Sequence, residues 1–137
     1  MKKRVLILCT GNSARSQMAE GLLLHIGKGG YNVESAGTKP SLIRPEAIIV
    51  LKEIGIDIST NHSKSVEKFV GREFDFVITV CENARESCPY FPAQTKLIHH
   101  NFADPAAVEG DEGTRLQAFR KVRDEIHRFL LEFIGKY

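Results

Sequence analysis

A chain of 137 residues, 42% hydrophobic and 26% charged, is long enough for one hydrophobic core and too evenly mixed for a fibrous or disordered protein. Its net charge of +2 comes from 19 basic and 17 acidic residues without long blocks, which leaves no electrostatic footprint for nucleic acid or a membrane surface. No apolar run approaches the ~20 residues that span a bilayer, and the one behind Met1-Lys2-Lys3-Arg4 is short and ends at a Cys loop, so a cytoplasmic protein with a single domain over 1–137 is expected.

The apolar run Val5-Leu6-Ile7-Leu8 predicts a buried strand that ends at Cys9. Thr10-Gly11-Asn12-Ser13 then breaks the pattern as a loop. A helix follows over about 14–28, with Met18, Ala19, Leu22, Leu23 and Ile26 on its apolar face and Gly27 at its end. Gly21 inside it suggests close packing. Residues 32–37 predict a second strand. Pro45 opens a helix to about Ile54, closed by Gly55. A short helix over about 65–70 is capped by Ser63 or Ser65. Phe76–Val80 predicts a third buried strand, running into Cys81.

Glu82 to Ser87 predicts one or two helical turns, stopped near Pro89. Thr95 to His99 is a weaker fourth strand. Asp104-Pro105 is a turn, and Val108 to Thr114 reads as a mobile loop. The last helix is marked by Leu116, Phe119, Val122, Ile126, Phe129, Leu130, Phe133 and Ile134 at 3–4 spacing. Alternating strands and helices predict an α/β fold, a four-stranded parallel sheet with helices on both faces. Such sheets bind ligands beyond the carboxyl ends of their strands, so Cys9 and Cys81 should share one rim.

Cys9 to Arg15 carries the chemistry. A helix N-terminus presents unpaired N–H groups and a partial positive charge, and a loop of small residues can fold its own N–H groups onto one anion. The oxyanion-binding set is then Thr10, Gly11, Asn12, Ser13, Ala14 and Arg15, with the Arg15 fork gripping two oxygens. The same field favours a thiolate at Cys9, with a pKa in the range of about 3.5–7.5 found for such sites. Ser16, in the first helical turn, can donate to that thiolate. Asp104, after the fourth strand, is a candidate general acid. This is not a Walker loop, since no Lys follows the glycine. The five histidines show no ligand spacing and read as surface residues.

Cys9-Thr10-Gly11-Asn12-Ser13-Ala14-Arg15-Ser16 and Asp104-Pro105 resemble the low-molecular-weight protein tyrosine phosphatase superfamily. Within it, Arg15 to Gly21, Ser35-Ala36-Gly37, Val122 to Ile126 and the Cys81–Cys88 pair before Pro89 are similar to the thioredoxin-coupled arsenate reductases. The resemblance implies a catalytic set of Cys9, Arg15, Ser16, Cys81, Cys88 and Asp104. It also implies loop support from Asn12, Glu20 and Ser35, a cytoplasmic monomer, arsenate as substrate and thioredoxin as reductant. No cofactor is implied. Some members hold potassium beside the loop with groups like Asn12, Glu20 and Ser35. Their further acidic ligand falls at Lys64 here, and no metal is expected. Arg85 and Glu86 depart from the more acidic stretch of these reductases.

Two alternatives stay open on residues alone. An aryl phosphate or phosphotyrosine phosphatase needs only Cys9, Arg15 and Asp104, but the Tyr expected after Asp-Pro in such enzymes is Ala106 here. A non-catalytic oxyanion or redox sensor needs no acid. The implied reductase relay passes through a Cys9–Cys81 disulfide to a Cys81–Cys88 disulfide. If the segment between Cys81 and Cys88 is helical, their α-carbons lie about 10.5 Å apart, and a disulfide needs about 7 Å or less. Redox change should therefore concentrate between Cys81 and Phe91.

Overall fold

The computed structural model describes residues 2–89, 91 and 94–137. Four strands, β1 (Lys3–Cys9), β2 (Tyr31–Gly37), β3 (Phe76–Thr79) and β4 (Lys96–His99), form one parallel sheet in the order β2-β1-β3-β4. Val5 to Cys9 and Phe76 to Thr79 are buried at every successive residue. A strand alternates its side chains between two faces, so both faces of the sheet centre are covered, as a parallel sheet requires.

The helices are α1 (Arg15–Ile26), α2 (Pro45–Lys52), α3 (Glu82–Glu86) and α4 (Glu112–Lys136), with single 3₁₀ turns at Val66–Phe69 and Pro105–Ala107. α1 packs on α4 and β2, while α2 packs on α1 and α4. Gly21 is where α1 meets its neighbours most closely. A Cβ there would lie 2.9 Å from Ile58 and 3.0 Å from Leu51. On α4, Phe119, Ile126 and Leu130 are fully buried and extend the core. No helix among the described residues is long and apolar enough to cross a membrane.

Several expected boundaries move. α1 begins at Arg15, with Ala14 outside it, and ends at Ile26. It is also not a one-faced helix, since Ser16 to Leu23 are all buried. Ser16 and Gln17 turn to Asn12 of the anion loop and Glu20 to Ser35 of β2, rather than to solvent. α2 stops at Lys52, before Ile54. The expected loop over 108–114 is part helix: Asp111 accepts from the Thr114 N–H at 2.8 Å and caps α4, which starts at Glu112. Of the two serine caps considered, Ser65 serves, accepting from the Glu67 N–H at 3.2 Å. Within the 81–91 segment, Tyr90 lies outside the described residues.

Candidate active site

β1 is bordered by β2 on one side and β3 on the other, and the chain leaves β1 and β3 in opposite directions. That reversal opens a crevice at their carboxyl ends. Cys9 ends β1 and Cys81 follows β3, so both thiols sit on this crevice.

The loop after Cys9 is held from outside. The carbonyls of Cys9, Thr10, Gly11 and Ser13 accept from the backbone N–H groups of Thr38, Lys39, Ser41 and Arg44. The Asn12 carbonyl accepts from Ser63 Oγ at 2.8 Å and Gln17 Nε2 at 3.2 Å. A trans peptide points its N–H opposite to its carbonyl. The N–H groups from Thr10 to Ala14 therefore turn away from those partners, which is the convergence an oxyanion needs. Gly37 makes this possible: a Cβ there would stand 2.5 Å from the Thr10 carbonyl oxygen and 2.9 Å from the Asn12 nitrogen.

Asn12 is the hub of the loop. It is fully buried at φ 49°, a left-handed conformation that Asn tolerates better than most residues. Its Nδ2 donates to Ser16 Oγ (2.7 Å) and Ser35 Oγ (2.9 Å), while Oδ1 accepts from the Lys64 N–H (2.9 Å) and Gln17 Nε2 (3.1 Å). Ser35 Oγ in turn donates a hydrogen bond to Glu20 Oε1 at 2.6 Å. Burial raises the Glu20 carboxyl, and the Ser35 hydroxyl and the Lys64 ammonium, 3.9 Å away, oppose that. With Asn12 donating to its oxygen, the Ser16 hydroxyl is free to give its proton to Cys9.

The Cys9 sulfur is held well below the ordinary thiol range. The largest cause is a hydrogen bond from the Cys81 thiol; burial works against it, and the Ser16 hydroxyl, the Ser16 N–H and the Arg15 charge add to it. The same contact holds Cys81 protonated, far above the ordinary thiol value, with burial adding to the effect. Two groups pull Cys81 the other way: Thr10 Oγ1, at 3.3 Å, and the Ala84 N–H, at 3.4 Å. Asn83 Oδ1 fixes this corner by accepting from Thr38 Oγ1 at 2.8 Å, and Thr10 Oγ1, 3.4 Å from that oxygen, can turn its one proton either to it or to Cys81. Cys88 is half-buried, which pushes its thiol up, and all three cysteines are free.

Arg15 reaches the segment after β4, with Nη1 donating to the Phe102 carbonyl at 3.0 Å and Nη2 3.9 Å from Asp104 Oδ2. Asp104 is 44% exposed, and its Oδ1 accepts from the Ala106 N–H at 3.0 Å. Every residue expected to carry chemistry except Cys88 thus joins one connected constellation, and Cys88 lies beyond the far end of α3 from Cys81. Sequence reading missed Gln17, Ser63, Asn83 and the Ala84 N–H, which support the loop and Cys81. It also read His99 as surface. Its ring is only 22% exposed and bridges Thr79 and Glu82. Among the described residues, no group of three or more His, Cys, Asp and Glu is placed to hold a metal ion.

The family model for low molecular weight phosphotyrosine protein phosphatase matches residues 4–136. An arsenate reductase of Shouchella clausii is 42% identical over 132 residues, covering 96% of this chain and 95% of that protein. A solved arsenate reductase in the oxidised state superposes with a TM-score of 0.84 at 33% identity, covering 98% of both chains. A thioredoxin-dependent arsenate reductase of Corynebacterium glutamicum superposes with a TM-score of 0.74 at 26% identity, covering 99% of this chain and 64% of that one.

Proposed function

The chain belongs to the low molecular weight phosphotyrosine protein phosphatase family, and on that scaffold we propose an arsenate reductase that works through a three-cysteine relay. It reduces arsenate to arsenite. The observation that carries the relay is Cys81 placed after β3, the strand next to β1, with its Sγ 3.3 Å from Thr10 Oγ1 of the Cys9 loop, since a phosphatase needs no second thiol there.

Arsenate enters the loop, where the inward N–H groups and Arg15 bind its oxygens. The Cys9 thiolate attacks arsenic and forms a sulfur–arsenic bond. One arsenate oxygen leaves as water, with Asp104 giving the proton. Forming that bond removes the negative charge from Cys9, and with it the largest force keeping Cys81 protonated. The Thr10 hydroxyl and the Ala84 N–H then favour the Cys81 thiolate.

Cys81 attacks Cys9 Sγ. The sulfur–sulfur bond forms, the sulfur–arsenic electron pair stays on arsenic, and arsenic(V) leaves as arsenic(III). Cys88 next attacks Cys81 Sγ and frees Cys9 as a thiolate. The Cys81–Cys88 disulfide takes two electrons from an external dithiol, for which thioredoxin is the candidate, by thiol–disulfide exchange.

The test is consumption of NADPH in the presence of thioredoxin reductase, thioredoxin and arsenate. Wild type should turn over steadily, and Cys88→Ser should stop after one equivalent of arsenite. Brisk aryl phosphate hydrolysis with no arsenate-dependent consumption would assign the site to phosphate ester chemistry instead.

A further inference from the structure

Glu82 opens α3, and its Oε1 lies 3.1 Å from His99 Nε2 at the end of β4. The other ring nitrogen, Nδ1, is 2.7 Å from Thr79 Oγ1 at the end of β3. A carboxylate only accepts, so Nε2 carries a proton. The neutral ring then accepts the Thr79 hydroxyl proton at Nδ1, and the imidazolium donates there instead. Either protonation state fills both contacts. His99 is thus a strut from the sheet to the first turn of α3. Arg85 also faces Glu82, at 3.7 Å, but it belongs to α3 and cannot tie that helix to the sheet.

We propose that His99 and Glu82 latch α3 in the dithiol state and so act as positioning residues for the Cys81–Cys88 step. The proposal rests on the relay given above. α3 takes up five of the six residues between the two cysteines and leaves them at its opposite ends, Cys81 as its extended N-cap and Cys88 beyond its C-cap Ser87. A disulfide needs those α-carbons within about 7 Å, and the bond closes across both ends of α3, so closing it pulls on the helix and its caps. The Glu82–His99 contact spans the junction between the part that moves and the sheet that does not. A contact made only in the dithiol form stabilises that form and makes the disulfide a stronger oxidant. Losing the contact moves the couple toward disulfide.

The test uses the full chain carrying Cys9→Ser, which leaves Cys81 and Cys88 as its two thiols. Equilibration with glutathione converts dithiol plus oxidised glutathione into disulfide plus two glutathione thiols, a balanced two-electron exchange. Glu82→Ala and His99→Ala should each favour the disulfide by about two- to fivefold, the scale of an exposed ion pair. That corresponds to a potential about 9–21 mV more negative. The double variant should move no further than the larger single one.

Unchanged potentials in both single variants, or a double variant equal to their sum, overturn the latch while leaving the relay standing. Failure of the Cys9→Ser parent to form the Cys81–Cys88 disulfide at any glutathione ratio overturns the relay and the latch with it.

Discussion

Cys9 at the end of β1 and Cys81 after the neighbouring β3 share one crevice, with Cys81 Sγ 3.3 Å from Thr10 Oγ1, and each thiol pushes the other's titration in the opposite direction, Cys9 down and Cys81 up. One contact both activates Cys9 and silences Cys81. In the proposed relay the order of the two attacks follows from this coupling, because arsenic would take the Cys9 charge before Cys81 attacks.

Removing either donor to Cys9 should move its titration upward. Cys9 is depressed, so its thiolate forms below the ordinary thiol value of about 8.5, and arsenate capture should be lost as pH falls through the depressed value. Folded-state stability follows the same sign: the contribution from Cys9 is full above the unfolded thiol pKa and is lost through the folded one. Thiolate absorbance against pH should give a higher midpoint for Cys81→Ala and a smaller rise for Ser16→Ala. Equal midpoints in all three proteins would contradict the assignment of donors.

Thr10→Val keeps the shape of the loop residue and removes the hydroxyl beside Cys81. A hydrogen bond to a charged group contributes about 1.5–3 kcal/mol, so arsenite release in a single turnover should slow by roughly ten- to a hundredfold. Rapid-quench measurement of arsenite from one equivalent of enzyme reads this directly. A rate equal to wild type would remove Thr10 from the activation of Cys81.

Gly37→Ala tests the packing that shapes the loop. The added methyl would meet the Thr10 carbonyl oxygen at 2.5 Å, and backbone on both sides leaves it little room to yield. Overpacking of this kind costs about 1–3 kcal/mol. Arsenate or phosphate binding, followed by calorimetry, should be lost or greatly weakened, with far-ultraviolet circular dichroism retained. Normal binding would show that the loop tolerates a displaced Thr10.

Asp104→Asn separates an enzyme from a sensor. General acid catalysis contributes about 10²–10⁴-fold, and the loss of arsenate turnover should fall in that range with oxyanion binding preserved. A non-catalytic binder would respond to arsenate identically with Asp or Asn at this position.

Much of this site is legible in the sequence because its parts are local. Cys9 to Ser16 sit on one strand–loop–helix unit, and a continuous apolar run followed by helical spacing places that unit without help from elsewhere. Asp104 was legible because Asp-Pro after a strand is a marked turn. The supporting shell was not, because it comes from remote segments whose residues look ordinary alone. Ser63 and Lys64 reach Asn12 from a connection without periodic pattern. His99 joins Glu82 only because β3 and β4 pair in register, Thr79 against His99. The start of α4 was misplaced for a different reason. Val108 to Thr114 is polar and glycine-containing, but the Asp111 cap pays for three more helical residues at its front.

The relay is tested most directly by thiol mapping after a single turnover with arsenate and no external reductant. One arsenite should appear per chain, two thiols should disappear, and mass spectrometry of alkylated peptides should find Cys81 joined to Cys88 with Cys9 free. The Cys88→Ser chain should release the same arsenite and stop with Cys9 joined to Cys81. Arsenite release without thiol loss, or a wild-type product with Cys81 still alkylatable, would contradict the relay.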